Sequence, residues 1–299
     1  MAGTTSAPIE AAFLCGAKEV GAVFTDEQLL LNLDGASYRL EQAIAASGAR
    51  YLGTTSDGQS VEFWNKGDEA TLTIGDRSYP RCVTRDPALD GRYRALGLEP
   101  AWSWTLGPRE AVLRLEPARL SLSAPRSAVQ EGPDGWLMPT ADGTLEITRS
   151  PGPCSDTMSD RIYPESVQLS LGEQAWAGCG TTPAGMLQVA DWQLQDWDGK
   201  PLPEDVEITL AFDETGQAFG KSACNRYFGA YRLADEQTLA LGPMAASRMA
   251  CAEPLMRWET DYLAFLEGPL QFSIDERGRL ILTDGQGEAL NFQPQTASD

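Results

Sequence analysis

Lys66 is one of only four lysines in a chain of 299 residues that otherwise draws its positive charge from arginine. It stands in "EFWNKGDEATL", between Trp64 and Gly67-Asp68-Glu69, nineteen residues after a Ser47-Gly48 pair in "AASGARYL". A lysine at a loop tip offers three N–H donors and a full charge, and a serine offers a small hydroxyl that donates or accepts. Glycines beside both would permit tight turns and close approach of a partner. Two such tips could enter an acidic cleft of another protein; read without that partner, Lys66-Gly67 and Ser47-Gly48 are ordinary hairpin turns.

Other chemistry is sparse. The chain has no histidine, which removes Cys/His zinc sites and Cys/His nucleophile pairs. Six cysteines fall two by two in three stretches, Cys15 with Cys82, Cys154 with Cys179 and Cys224 with Cys251, none in a CxxC. Structural disulfides in an oxidising compartment are the economical reading; the alternative is six buried thiols. Carboxylates cluster at Asp68/Glu69, at Asp213/Glu214 and at Glu204/Asp205/Glu207, but each group lies at or beside a turn, where acids are normally solvated. No calcium loop, phosphate-binding loop or nucleophile elbow is present. The chain therefore reads as a non-enzyme without cofactor or metal.

The formal charge is −20, which argues against nucleic acid as a partner, because phosphate binding needs a basic surface, and favours a basic one. The excess acid concentrates in residues 183–299, with 19 Asp and Glu against 8 Lys and Arg. No apolar run approaches the roughly 20 residues of a membrane helix. "MAGTTSAPIE" lacks the charged and apolar regions of an export signal, so the cysteines imply a signal absent from this numbering.

The segments that would carry these residues are mostly β. Residues 10–85 alternate in short apolar runs broken by Asp34-Gly35, Asp57-Gly58 and Lys66-Gly67, which predicts hairpins in a small closed or sandwiched sheet. "TRDPALDG" at 84–91 reads as a linker, and 90–182 as a second β-rich segment. There Trp102 and Trp104, two apart, would share one strand face, as core or as a carbohydrate platform. After "GTTPAG" at 180–185, residues 187–295 hold further strands and one helix in "AEPLMRWETDYLAFLEG". Pro254 starts it, Leu255, Trp258, Tyr262, Phe265 and Leu266 repeat at helical spacing, and Gly268-Pro269 ends it.

The first segment resembles the MliC/PliC family of c-type lysozyme inhibitors, on "FLCG", "SGARY", "EFWNKGDEATL" and the closing "RC". The resemblance implies an antiparallel β-barrel, a Cys15–Cys82 bridge, and insertion of Ser47 and Lys66 into the lysozyme's catalytic cleft. Gly48, Arg50, Tyr51, Trp64, Gly67 and Asp68, within the same motifs, complete the expected lysozyme-binding set. It further implies a periplasmic or outer-membrane-associated protein of a Gram-negative bacterium, attached to a membrane only through a lipidated N-terminus absent from this numbering. One departure is an apparent insertion, "LGTTS" at 52–56, which either lengthens a hairpin or obstructs docking.

Residues 187–293 resemble the META/HslJ domain, on "WQLQDWDGKPL", "GKSACNRYFGAY" and "GPMAASRMAC", implying a sheet with one packed helix and a Cys224–Cys251 bridge. Asn225 and Arg226 beside Cys224 read as a site or, by preference, as a buried polar pair that ties a loop to that sheet. The middle segment is similar to an uncharacterised domain of bacterial envelope proteins, on "LGLEPAWSW" and "CSDTMSDRIYPESVQLSLGEQAWAGC". The expected function is inhibition of c-type lysozyme; the alternative is a structural or stress-related envelope protein without inhibitory activity.

Overall fold

A computed structural model describes residues 7–25, 27–116 and 119–295. The fold is mainly β, with three sheets following one another along the chain. No helix among the described residues is long and apolar enough to cross a membrane.

The first sheet comprises β1 (Ile9–Cys15), β2 (Lys18–Phe24), β3 (Gln28–Leu33), β4 (Ala36–Ala43), β5 (Ala49–Thr54), β6 (Ser60–Lys66), β7 (Glu69–Ile74), β8 (Arg77–Ser78) and β9 (Cys82–Arg85). Strands β1 to β6 pair in succession, β6 pairs with β7, and β9 lies between β7 and β1, so the sheet closes into an antiparallel barrel. Alternation decides which side chains enter it: in β3, Leu29, Leu31 and Leu33 are buried and Gln28, Leu30 and Asn32 face out. Asp34 and Gly35 both have positive φ, 49° and 79°, as a two-residue type I′ loop requires. Cys15 stands opposite Cys82 in the β1–β9 ladder, and their disulfide links the first strand of the barrel to the last.

The second sheet runs from Tyr93 to Thr181 in nine antiparallel strands. Its core is centred on Tyr93, Trp104 and Trp136, and Trp102 is buried too, so both tryptophans of the pair belong to the core. A Cys154–Cys179 disulfide joins strands Gly143–Ser155 and Gln174–Thr181.

The third sheet has ten strands, and the pairing of Asp191–Trp197 with Ala289–Gln295 closes it. The helix Glu253–Phe265 carries Pro254 in its first turn; Leu255 and Trp258 are partly buried and Tyr262, Phe265 and Leu266 fully so, which is the apolar stripe expected from the sequence. Cys224 and Cys251 form the third disulfide.

By density of contacts the chain separates into two compact units. One holds 1–87, 197–272 and 282–290; the other holds 88–196, 273–281 and 291–299. Within the first unit, Leu14 of the barrel packs with Ala234 and Ala240, flanked by Val83, and the Asp86 N–H donates to the Ala234 carbonyl at 2.7 Å.

Candidate functional site

Ser47 and Lys66 belong to neighbouring loops at one end of the β5–β6 hairpin. Ser47-Gly48 leads into β5, and Lys66 is the last residue of β6 before the two-residue loop Gly67-Asp68. Gly67 takes φ 67°, the positive value that a Gly-x hairpin loop demands at its first position.

Gly48 packs against the end of β6. Its φ is 68°, and a Cβ there would lie 2.2 Å from the Asn65 carbonyl oxygen and 2.8 Å from Lys66 Cγ. Only glycine accepts both the conformation and the approach. The Trp64 indole N–H donates to the Ser47 carbonyl at 2.8 Å, and the Lys66 ammonium rests 3.7 Å from the centroid of the same indole. One tryptophan thus braces both tips, through a hydrogen bond on one side and a cation–π contact on the other.

What remains exposed is polar and uncommitted. Ser47, Gly48, Lys66, Gly67 and Asp68 are all exposed, and among the described residues neither the Ser47 hydroxyl nor the Lys66 ammonium has a hydrogen-bond partner. The Asp68 carbonyl accepts from the Thr84 N–H at 2.9 Å and from its hydroxyl at 3.0 Å, which fastens the lysine loop to β9. Asn65 Nδ2 donates across the turn to the Gly67 carbonyl at 3.3 Å.

Arg50 and Tyr51 have different surroundings. Arg50 donates from Nε and Nη2 to the two Glu62 oxygens, each at 3.0 Å, a bidentate diagonal pair on the barrel wall whose hydrogen bonds and charge push the guanidinium pKa up. Tyr51 is buried, its ring 5.7 Å from that of Phe24, and burial raises its pKa. It supports the wall from inside, because one residue along a strand reverses the facing direction.

The stretch 52–56 falls at the opposite end of the hairpin. The β5–β6 register is unbroken from Ala49↔Asn65 to Thr54↔Ser60, and the turn beyond is closed by hydrogen bonds among Thr55, Asp57 and Gln59. The added length extends the hairpin away from Ser47 and Lys66.

Ile44 was not singled out in the sequence. It is fully exposed, three residues before Ser47, and with Glu27, Glu41 and Gly48 it lines an open hollow of about 600 Å³ beside the tips. The only sequence signal for it was an isoleucine outside any alternating run.

One member of each acidic cluster has a local partner. Asp213 accepts from the Thr215 and Gln217 N–H groups, and those bonds hold its pKa low. Glu207 pairs with Lys221 at 2.6 Å and Glu69 with Arg81 at 3.6 Å. Asn225, beside the third disulfide, is buried and fully bonded. Its Nδ2 donates to Glu259 at 2.9 Å and to the Met249 carbonyl at 3.3 Å, and its Oδ1 accepts from Ser247 Oγ and Met249 N, each at 2.8 Å. Arg226, expected to be buried with it, instead faces solvent, because one step along the strand reverses the facing direction.

Two family models match this chain, one near each end. The family model described as membrane-bound lysozyme-inhibitor of c-type lysozyme matches residues 13–80, and the META domain model matches residues 185–297. A search of curated proteins found no match. Among solved structures, the NMR structure of a protein from Burkholderia xenovorans is 30% identical, over 38% of this chain and 88% of that one, with a TM-score of 0.33. With the closed barrel, its bridge and both motifs in place, the chain carries a domain of the MliC lysozyme-inhibitor family and, toward its C-terminus, a META domain.

Proposed function

We propose that this protein inhibits a c-type lysozyme by inserting Ser47 and Lys66 into the catalytic cleft. The observation that carries the reading is the shared brace: Trp64 holds both loops, and Gly48 lets them touch, while the hydroxyl and the ammonium stay free to bond outward. Such an enzyme cleaves its glycan with two carboxylates. An ammonium between them makes charge-assisted hydrogen bonds worth roughly 1.5–3 kcal/mol, on a loop already ordered before contact.

Lysine's slim stem suits a narrow cleft better than arginine's planar fork. Gly67 and Asp68 form the tip, Arg50 stiffens its wall through Glu62, and Ile44 supplies an apolar contact at the rim. The chain's charge of −20 would speed encounter with a basic enzyme. Three disulfides with no free cysteine suit the oxidising cell envelope, which is where the wall needs protection from lysozyme. In this reading 10–85 is the inhibitor, and 90–182 and 187–295 are accessory domains.

The test is a turbidity assay of wall lysis by a purified c-type lysozyme with increasing amounts of the full chain. Dose-dependent protection is the expected result. Unchanged lysis at a molar excess would leave a structural or stress-related envelope protein, and lysis by the chain itself would reveal an enzyme.

A further inference from the structure

The META region presents a surface unlike the rest of the chain. Residues 215–234 contain no acid and three cations, and residues 215–252 hold four of the eight cations of the segment 183–299 but only two of its 19 acids, Asp235 and Glu236. Strand alternation sends the cations outward. On Gln217–Ser222 the outer positions are Gln217, Phe219 and Lys221; on Asn225–Leu233 they are Arg226, Phe228, Ala230 and Arg232.

Register sets these residues side by side. Phe219 stands directly opposite Phe228, and Lys221 directly opposite Arg226. The two phenylalanines are 42% and 57% exposed. On the far side, Ala245 pairs with Phe228, and the chain continues into exposed Arg248 and Met249. Lys221 is matched by Glu207, whereas Arg226, Arg232 and Arg248 have no ion-pair partner among the described residues.

A free sheet face gains nothing from this arrangement. Like charges directly opposite each other repel, and two large rings in water forgo burial. Both costs vanish against a partner that is anionic at its surface and apolar just beneath. A second copy of the chain does not fit, since a two-fold contact would bring Arg226 and Lys221 of both copies together between bodies that each carry −20. A neutral glycan would use the rings and leave the cations unanswered.

We infer that this face of the META sheet docks on an anionic phospholipid surface, with Phe219, Phe228 and Met249 at the acyl boundary and Arg226, Arg232 and Arg248 on the phosphates. At physiological salt, potentials fade over about 8 Å, so the local patch acts at contact despite the acidic remainder of the chain. This surface is independent of the lysozyme-binding reading.

Co-sedimentation of the full chain with phosphatidylcholine vesicles, with and without about one third phosphatidylglycerol, tests the inference. The chain is expected to bind only the anionic vesicles, and less as salt rises. Replacing both rings (Phe219→Ser with Phe228→Ser) should lower partitioning about ten-fold or more, and Arg226→Glu with Arg232→Glu should abolish it. Met158→Ser, which removes an apolar side chain exposed elsewhere, should change nothing. Thermal unfolding checks that each variant is folded. Failure of the parent to bind at low salt, equal binding to uncharged vesicles, or indifference to the charge reversals in folded protein would overturn it. So would displacement from the vesicles by an equal charge of soluble polyglutamate, which would make the partner an acidic polymer.

Discussion

The Ser47/Lys66 tips and the Asn225 cluster are both small polar groups in disulfide-bridged β structures, and their hydrogen-bonding states are opposite. Asn225 uses both amide hydrogens and accepts twice at its oxygen, all inside the fold; with Ser222, it also ties Glu259 of the helix to the sheet. A group whose valences are filled internally holds structure and has nothing left for a ligand. The Lys66 ammonium rests only on a ring face and Ser47 is held only through its backbone, so their polar groups remain available. The useful distinction between a structural and a binding polar residue is therefore the count of unspent donors and acceptors, not the residue type.

The sharpest way to break this comparison is Lys66→Ala. If the ammonium fills a carboxylate-lined cleft, its loss should weaken lysozyme binding by roughly 2–5 kcal/mol, mainly through faster dissociation, and leave the melting temperature unchanged. Surface plasmon resonance together with calorimetry reads both. A variant that binds as tightly as the parent would return Lys66 to the status of a hairpin residue.

Asn225→Ala should behave in the reverse sense. It leaves Glu259 Oε1 and the 247–249 loop without the amide they share, while Glu259 Oε2 keeps Ser222 and the backbone N–H, and should destabilise the third sheet by about 1–3 kcal/mol in denaturant unfolding with lysozyme affinity unaltered. A loss of affinity in folded protein would show that the two regions are not separate in function.

The smallest effects concern the brace. Trp64→Phe keeps a ring under Lys66 but removes the donor to the Ser47 carbonyl, and Ser47→Ala removes the hydroxyl itself. Each should cost about 0.5–1.5 kcal/mol of affinity. Because both act on one loop, the double variant should lose measurably less or more than the sum, as a double-mutant cycle reports. Strict additivity would show that the brace does not position the serine.

Much of this molecule is legible in its sequence because the signals are local. The Asp34-Gly35 loop, the outward and inward turns of β3, and the apolar stripe from Leu255 to Leu266 follow from turn chemistry and periodicity alone. The motifs around Ser47 and Lys66 were legible as motifs, and so was the pairing of cysteines by segment. Tertiary structure decided the rest. The contact of Gly48 with Asn65 and Lys66, the inward face of Tyr51, the displacement of 52–56 to the far end of the hairpin, and the meeting of Phe219 with Phe228 all depend on strand register. Register is set by pairings between distant residues and by closure of the barrel, and a shift of one residue would exchange every inward side chain for an outward one.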